Sequence, residues 1–375
     1  MNKRSAQDKR FMSAAICLAE LRVGLTCKNP SVGALIVRGD DVRSFVVGHA
    51  ATAIGGRPHA EIQALQMAGS FSCGATAYVT LEPCAHYGET PPCVDALIHS
   101  GISRVVIAFT DPDKRVCGRG ISILKAAGVK VVEGVLRDEA FETLSAYFCV
   151  KNLQRCEVTL KMAISADNGV GKKGNGGIRI SGVASRKYVH ILRARSDAIM
   201  VGIGTILADD PQLSCRLPGL EMRSPVRIIL DKNLRIPLNA KVVQTAMQIP
   251  TWIICDETLL DGRKKVELER YGVRVYSVKV NNNLMHPLAI LQLLCELGIN
   301  SVLLEGGTKT GEIFLNVGCV DHLICFYTPI ILGKDRIRPP HIESYLSEFS
   351  KIETRMLEND HLCRWRRKAL CLQGL

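Results

Sequence analysis

The sequence predicts an α/β protein of two successive units. Short runs rich in Val, Ile and Leu alternate with amphipathic stretches along both halves, as strands alternate with crossover helices. The length of 375 residues exceeds what one ordinary core holds. Charge also divides the chain. Residues 1–150 carry 16 basic and 14 acidic side chains, net +2, and residues 151–375 carry 32 and 22, net +10. A polar joint near Lys151–Cys156 places the units at 1–152 and 153–375.

In the first unit, helical periodicity covers Phe11–Arg22, and His59–Met67 sets Ile62 and Leu65 on one face,. Apolar β-branched runs predict strands at Gly33–Val37, Phe45–Gly48, Ala77–Leu81, Arg104–Phe109 and Lys130–Val132. Pro91 and Pro92 precede a helix over Cys93–His99, because proline suits a helix start. Further helices are expected over Gly120–Ala127 and Asp138–Cys149. The outline is a three-layer sandwich. In the second unit, strands are expected at Glu157–Ala163, Ala198–Val201, Val226–Leu230, Thr251–Cys255, Arg274–Val278, Ser301–Leu304 and His322–Tyr327, with a helix over Ala184–Arg195.

Composition bounds the function. The apolar fraction of 47% and charged fraction of 22% exclude a disordered chain,. The net charge of +12 suggests an anionic partner,. The charged start of the chain and the lack of a span-length apolar run predict a cytoplasmic protein with no membrane partner. Its 15 cysteines are then expected as reduced thiols, with clustered ones candidate metal ligands.

The strongest chemical signal is His59-Ala60-Glu61 followed by Pro83-Cys84 and Cys93. Zinc takes nitrogen and sulfur donors, and a catalytic site uses three protein ligands with a fourth position open to water. His59, Cys84 and Cys93 supply that set, and both cysteines are expected at helix starts, which favour thiolates. Glu61 can take a proton from the water and return it to a leaving amine without ligating the metal. The spacing resembles the H-x-E…P-C-x-x-C signature of zinc nucleobase deaminases, except that eight residues, 85–92, separate the cysteines. His86 could instead complete a structural site.

With these segments, the first half resembles the deaminase domain of the bifunctional riboflavin-biosynthesis deaminase/reductases. Asn29-Pro30-Ser31-Val32-Gly33, the run Thr80 to Cys93, Asp111-Pro112 and Gly118-Arg119-Gly120 carry the resemblance. It implies a cytidine-deaminase-like α/β/α fold and one Zn2+ per chain. It also implies a 2,5-diamino-6-ribosylaminopyrimidinone 5′-phosphate substrate, with Asn29 and His49 at the pyrimidine end. Residue 89, usually Lys or Arg in that family and plausibly near the substrate phosphate, is Glu89 here.

Three segments of the second half carry chemistry: Lys161–Gly169, Ser196–Arg216 and Leu304–Gly311. A glycine turn between strand and helix lets backbone amides approach a phosphate, but the usual G-x-G-x-x-G dinucleotide fingerprint is absent,. These segments look like the reductase domain of the same family, which implies a dihydrofolate-reductase-like α/β fold using NADPH. By position, the resemblance implies cofactor contacts at Ala163, Arg179, Thr205, Asp209, Gly307, Thr308, Lys309, Thr310 and Gly311. It implies substrate contacts at Gly177, Arg193, Leu213, Arg216 and Glu305. Two positions depart from the family: Asn168 replaces a usual glycine and Arg179 a common tryptophan. Gly174–Gly177 reads as a loop.

The implied reactions are zinc-dependent deamination and NADPH-dependent reduction of the ribosyl group to ribityl, by a homo-oligomer (dimer or tetramer). Arg364, Arg366, Arg367 and Lys368 form a basic cluster, expected to be a solvated face or strand edge rather than a nucleic-acid patch. Two rival readings are a nucleoside or tRNA deaminase fused to a basic binding domain, and a structural zinc module with a nucleotide-sensing domain. Small phosphorylated ligands suffice to explain the charge.

Overall fold

The structure is a computed structural model that describes residues 3–39, 43–88, 90–113, 116–174 and 177–368. It divides into two compact units, Met1–Leu153 and Gln154–Leu375.

The first unit runs α1 (Lys3–Glu20), β1 (Gly33–Gly39), β2 (Ser44–Ala51), α2 (Ala60–Ala68), β3 (Thr76–Leu81), α3 (Cys93–His99), β4 (Arg104–Phe109), α4 (Arg119–Ala126), β5 (Lys130–Glu133) and α5 (Arg137–Leu153). The sheet order is β2-β1-β3-β4-β5. β1 is antiparallel to both neighbours, and β3, β4 and β5 are parallel. β4 is buried along its whole length, as a parallel strand covered on both faces must be. On one face Leu35, Val37, Tyr78 and Val106 pack with Phe11, Met12, Ala15 and Ile16 of α1 and Ala140 of α5. α2 packs over β1 and β2, and α3 lies between α2 and α4.

α1 begins well before the expected Phe11. Its polar first half is held by tertiary contacts: Arg104 of β4 donates both terminal nitrogens to Asp8, each at 2.7 Å, and Tyr78 donates to the same carboxylate. α5 continues to Leu153, so the expected joint is helical over 151–153. Lys151 reaches Asp113 at 2.9 Å and ties that last turn down.

The second unit contains β6 (Glu157–Ile164), β7 (Gly171–Lys172), α6 (Val183–Arg195), β8 (Ala198–Gly202), α7 (Ile203–Asp209), β9 (Val226–Leu230), α8 (Lys241–Gln244), β10 (Thr251–Asp256), α9 (Arg263–Arg270) and β11 (Arg274–Val278). The short pair β12 (Val280–Asn281) and β13 (Leu284–Met285) follows. Then come α10 (Pro287–Glu296), β14 (Ser301–Glu305), α11 (Thr308–Asn316), β15 (His322–Tyr327), β16 (Arg336–Ile337), β17 (Phe349–Leu357) and β18 (Asp360–Arg367).

The main sheet has the order β11-β10-β9-β8-β14-β6-β15-β18-β17. The strands from β11 to β15 are mutually parallel. Successive residues face opposite cores, as strand geometry requires. Met200 and Ile228 join Ile290, Leu291, Leu294 and Phe314 on one face. Their neighbours Ile199 and Ile229 join Ile206, Val242, Val243 and Leu268 on the other. The chain steps outward from β8 to β11, then returns to insert β14 between β8 and β6. Such reversals open a crevice at the carboxyl ends of the strands.

The antiparallel hairpin β17–β18 extends the sheet beyond β15. Its edge strand exposes Lys351 and Arg355, charges of the kind that discourage edge-to-edge pairing. It also steadies α6, because Asp360 accepts from the Gly182 amide at 2.7 Å, where a helix N-terminus favours an anion. The C-terminal basic cluster lies on this hairpin and is engaged internally. Arg364 pairs with Glu353 at 2.9 Å, Arg367 with Glu348, and Lys368 donates to the Ser347 carbonyl.

Candidate active sites

In the first unit the chain enters α2 at His59, which precedes its first helical residue. Cys84 lies just beyond β3, and Cys93 opens α3. Their ligand atoms lie within 4.8 Å of one another. The His59 Nδ1 is 3.3 Å from the Cys93 sulfur and 3.7 Å from the Cys84 sulfur. Only Cys93 sits at a helix start. Cys84 is in a loop, and its sulfur accepts instead from the Cys93 backbone amide at 3.3 Å. Hydrogen bonding from Cys93 brings the Cys84 thiol down to about 4. The same contact, with burial, pushes Cys93 up. A divalent cation held there would resolve that competition by stabilising both thiolates. One imidazole and two sulfurs fit zinc, and His86 is not among the clustered donors.

Glu61 lies in the first turn of α2 and is buried. Burial pushes its carboxyl up, against the attraction of His59 and a hydrogen bond from Cys93. A buried carboxyl beside the cluster, its proton affinity raised by burial, suits general acid–base work,.

Glu82, which sequence reasoning left without a role, braces this site. It is buried and accepts backbone amides from Asp111 (3.2 Å), Gly118 (3.0 Å) and Ile121 (3.2 Å). Those bonds tie the loop bearing Cys84 to the segment after β4. Its place in Leu81-Glu82-Pro83-Cys84 was the available signal. Gly33 has a comparable structural reason: a Cβ there would lie 1.9 Å from the Ala15 carbonyl oxygen. Asn29 packs against Gly56, and His49 is exposed on β2. Among the described residues, no hydrogen bond joins either to the metal cluster. Glu89 lies outside the described residues.

In the second unit, Glu305 ends β14 and is buried. Arg193 of α6 donates to it from Nε at 2.8 Å and Nη2 at 3.0 Å, and Lys161 of β6 approaches at 3.4 Å. Burial would raise the Glu305 carboxyl, but Lys161 and Arg193 prevail and hold it at about 2. Arg193 also donates to the Ser214 carbonyl at 2.9 Å. Ser214 stands between the buried Leu213 and the exposed Arg216, whose side chain reaches its hydroxyl at 3.3 Å. Lys161 is a member of this cluster that sequence reasoning did not nominate.

The predicted cofactor segment gathers beside it. Gly306 and Gly307 take φ of 73° and 76°, values that glycine adopts without strain. Thr205 lies against both glycines, and Thr310 lies against Gly307 and Gly202. Side chains at the glycines would narrow this cradle at the strand ends. The Gly177 amide donates to Asp209 at 2.8 Å, while the neighbouring Asp210 accepts the Lys241 amide. Gly311 is buried against Leu160, so it sets the closeness of α11 to β6. Thr308 is half-buried, Lys309 and Arg179 are exposed, and Ala163 is half-buried on β6. Asn168 takes the left-handed φ of 60°, which asparagine tolerates. Of the Gly174–Gly177 loop, residues 175 and 176 lie outside the described residues.

The fold and donor set of the first unit define a zinc-deaminase class, and the second unit is a reductase-type parallel sheet. Residues 5–109 match the cytidine and deoxycytidylate deaminase zinc-binding region, and residues 157–361 match the RibD C-terminal domain. The riboflavin biosynthesis protein RibD of Aquifex aeolicus is 41% identical over 327 residues, covering 87% of this chain and 88% of that protein. The Escherichia coli RibD protein is 34% identical over 340 residues, covering 88% and 89%. The Acinetobacter baumannii RibD structure superposes with a TM-score of 0.84 at 33% identity, covering 97% of this chain and 99% of that one. The Thermotoga maritima diaminohydroxyphosphoribosylaminopyrimidine deaminase/5-amino-6-(5-phosphoribosylamino)uracil reductase gives 0.83 at 31% identity, covering 97% and 99%.

The chain belongs to the RibD family, the bifunctional deaminase/reductases of riboflavin biosynthesis. Its first unit has the cytidine-deaminase-like fold and its second the dihydrofolate-reductase-like fold. Among the described residues, no helix is long and apolar enough to cross a membrane.

Proposed function

We propose that residues 1–152 deaminate 2,5-diamino-6-ribosylamino-4(3H)-pyrimidinone 5′-phosphate. Residues 153–375 then reduce its ribosyl chain with NADPH to give 5-amino-6-ribitylamino-uracil 5′-phosphate. The observation that carries the first step is the three-donor cluster with Glu61 buried beside it and His86 outside. His59, Cys84 and Cys93 would hold one Zn2+ per chain, which would supply Lewis acidity toward water,. Glu61 holds the proton that the attacking water gives up. It returns that proton to the departing amine, so ring C–NH2 and water become C=O and ammonia. Asn29 and His49 are assigned to the pyrimidine end.

In the second unit NADPH supplies the reducing equivalent. Thr205, Asp209 and the turn Gly307, Thr308, Lys309 and Thr310 are assigned to the dinucleotide, with Gly311 allowing close helix packing and Ala163 and Arg179 flanking it. Backbone amides at a glycine turn favour its phosphates. Arg193, Leu213, Arg216, Gly177 and Glu305 are assigned to the sugar-phosphate. The planar guanidinium of the exposed Arg216 suits a phosphate because it can bind two oxygens together,, whereas the paired edge of Arg193 is engaged by Glu305. Glu305 orients Arg193 through its paired bonds. The protein is assigned to the cytoplasm as a homo-oligomer, dimer or tetramer, acting on small molecules rather than nucleic acid.

The test supplies the diamino-pyrimidinone ribosyl phosphate with and without NADPH. Ammonia release should be zinc-dependent and independent of NADPH. NADPH oxidation should require the deaminated product. Salt-sensitive tRNA affinity without NADPH turnover would sink the reading.

A further inference from the structure

We infer that Arg57 is the phosphate-recognition residue of the deaminase site. This rests on the proposed phosphorylated substrate and deepens it. The loop 85–92 spans the two clustered cysteines and contains no Lys or Arg. A phosphate monoester presented beside that cluster therefore meets no cation from the loop itself. Arg57 brings one from outside. It stands two residues before His59, and its Nη1 donates to the Thr90 hydroxyl at 2.8 Å. Its Nη2 is 3.5 Å from where a Gly88 Cβ would sit. The guanidinium is thus held beside Thr90, three residues before Cys93, and beside Gly88, four residues after Cys84.

Three features suit this placement to a phosphate. The Arg57–Thr90 contact is exposed, so an incoming dianion can reach it. The Thr90 hydroxyl orients the guanidinium at small cost and can itself donate to a phosphate oxygen. Gly88 has no side chain, and a Cβ there would stand in contact with Nη2. The first unit has a net charge of only +2. Recognition of a dianion there needs a local charge rather than a general field. Arginine supplies a fork that lysine lacks, so Arg57 also selects for the monoester over the unphosphorylated ribosyl compound.

The experiment measures deamination by the full zinc-loaded chain for wild type, Arg57→Gln and Arg57→Lys. Each is tested on the phosphorylated pyrimidine and on its 5′-dephosphorylated counterpart, with zinc content and reductase turnover followed in parallel. Arg57→Gln should raise KM for the phosphorylated substrate by roughly ten- to a hundred-fold, the range for a charge-assisted contact. Its kcat, zinc content and KM for the dephosphorylated compound should stay at wild-type values. Arg57→Lys should recover part of the loss. An equal rise in KM for both compounds, or loss of zinc, would show Arg57 to be a loop clamp and overturn the assignment. So would an unchanged KM for the phosphorylated substrate. A wild-type chain that leaves the phosphorylated substrate intact would overturn the proposed deamination and this assignment together.

Discussion

Arg193 and Glu305 meet in two parallel hydrogen bonds, 2.8 and 3.0 Å long, with both side chains largely withdrawn from solvent. α6 and β14 supply one residue each, 112 positions apart in sequence. Paired in this way, the carboxylate fixes the plane of the guanidinium and leaves Nη1 on the Ser214 carbonyl.

Glu305→Gln should therefore destabilise the second unit by roughly 3 kcal/mol at neutral pH, because it leaves buried positive charge without its counterion. Urea denaturation measures this. The pH dependence has a definite sign. Glu305 sits at about 2 when folded, against an ordinary value of 4.5, so its contribution is complete above 4.5. It is lost as pH falls through the folded value. The stability gap between wild type and Glu305→Gln should narrow from pH 5 toward about 2. A gap that widens in acid would contradict the pairing.

Glu61→Gln should retain zinc and lower deamination kcat by about 10²- to 10⁴-fold, the usual contribution of a general acid–base group. Reduction of independently supplied deaminated substrate should be unaffected. Normal ammonia release by the metal-loaded variant would refute the role.

Removing zinc by chelation, or replacing Cys84 with Ser, should abolish deamination and spare NADPH oxidation on the deaminated substrate. Metal analysis should find one zinc in wild type and a large loss in the variant. Retention of tightly bound zinc by Cys84→Ser would point to a different ligand set.

Gly33→Ala should cost about 3 kcal/mol, at the upper end of overpacking effects. A Cβ there would fall 1.9 Å from a backbone oxygen of α1, which cannot move like a side-chain tip. Thermal unfolding of the two variants of the first unit, Gly33→Ala and a surface control such as Glu139→Ala, separates the effects. A Tm equal to the control would show that α1 yields.

Much of this was legible in the chain. Apolar runs located β1 to β6, β8 to β11, β14 and β15, because burial on two faces demands β-branched residues whatever the neighbours. The hairpin β17–β18, whose strands interleave charged residues, was not read as strands. His59, Glu61, Cys84 and Cys93 were legible because metal chemistry restricts both residue type and number. The start of α1 was not, since Asp8 reads as a solvent residue until Arg104, 96 positions away, is beside it. Cys84 was misread as a helix start for a similar reason: its sulfur is stabilised by the Cys93 amide across the loop rather than by its own helix.

The sequence by itself pointed to the two α/β units and to the grouping of His59, Cys84 and Cys93 with Glu61 beside them. Each depends on residue types and short spacings, and each type brings its own chemistry. Tertiary structure alone decided that Glu82 braces the cysteine loop, that Lys161 joins Arg193 at Glu305, and that Arg57 lies beside Gly88 and Thr90. It also decided that Arg364 pairs with Glu353 across the hairpin and Arg367 with Glu348 just before it. The physical reason is common to all four. A charged side chain has no fixed role until folding removes water and chooses its partner, and that choice joins positions with no regular spacing along the chain.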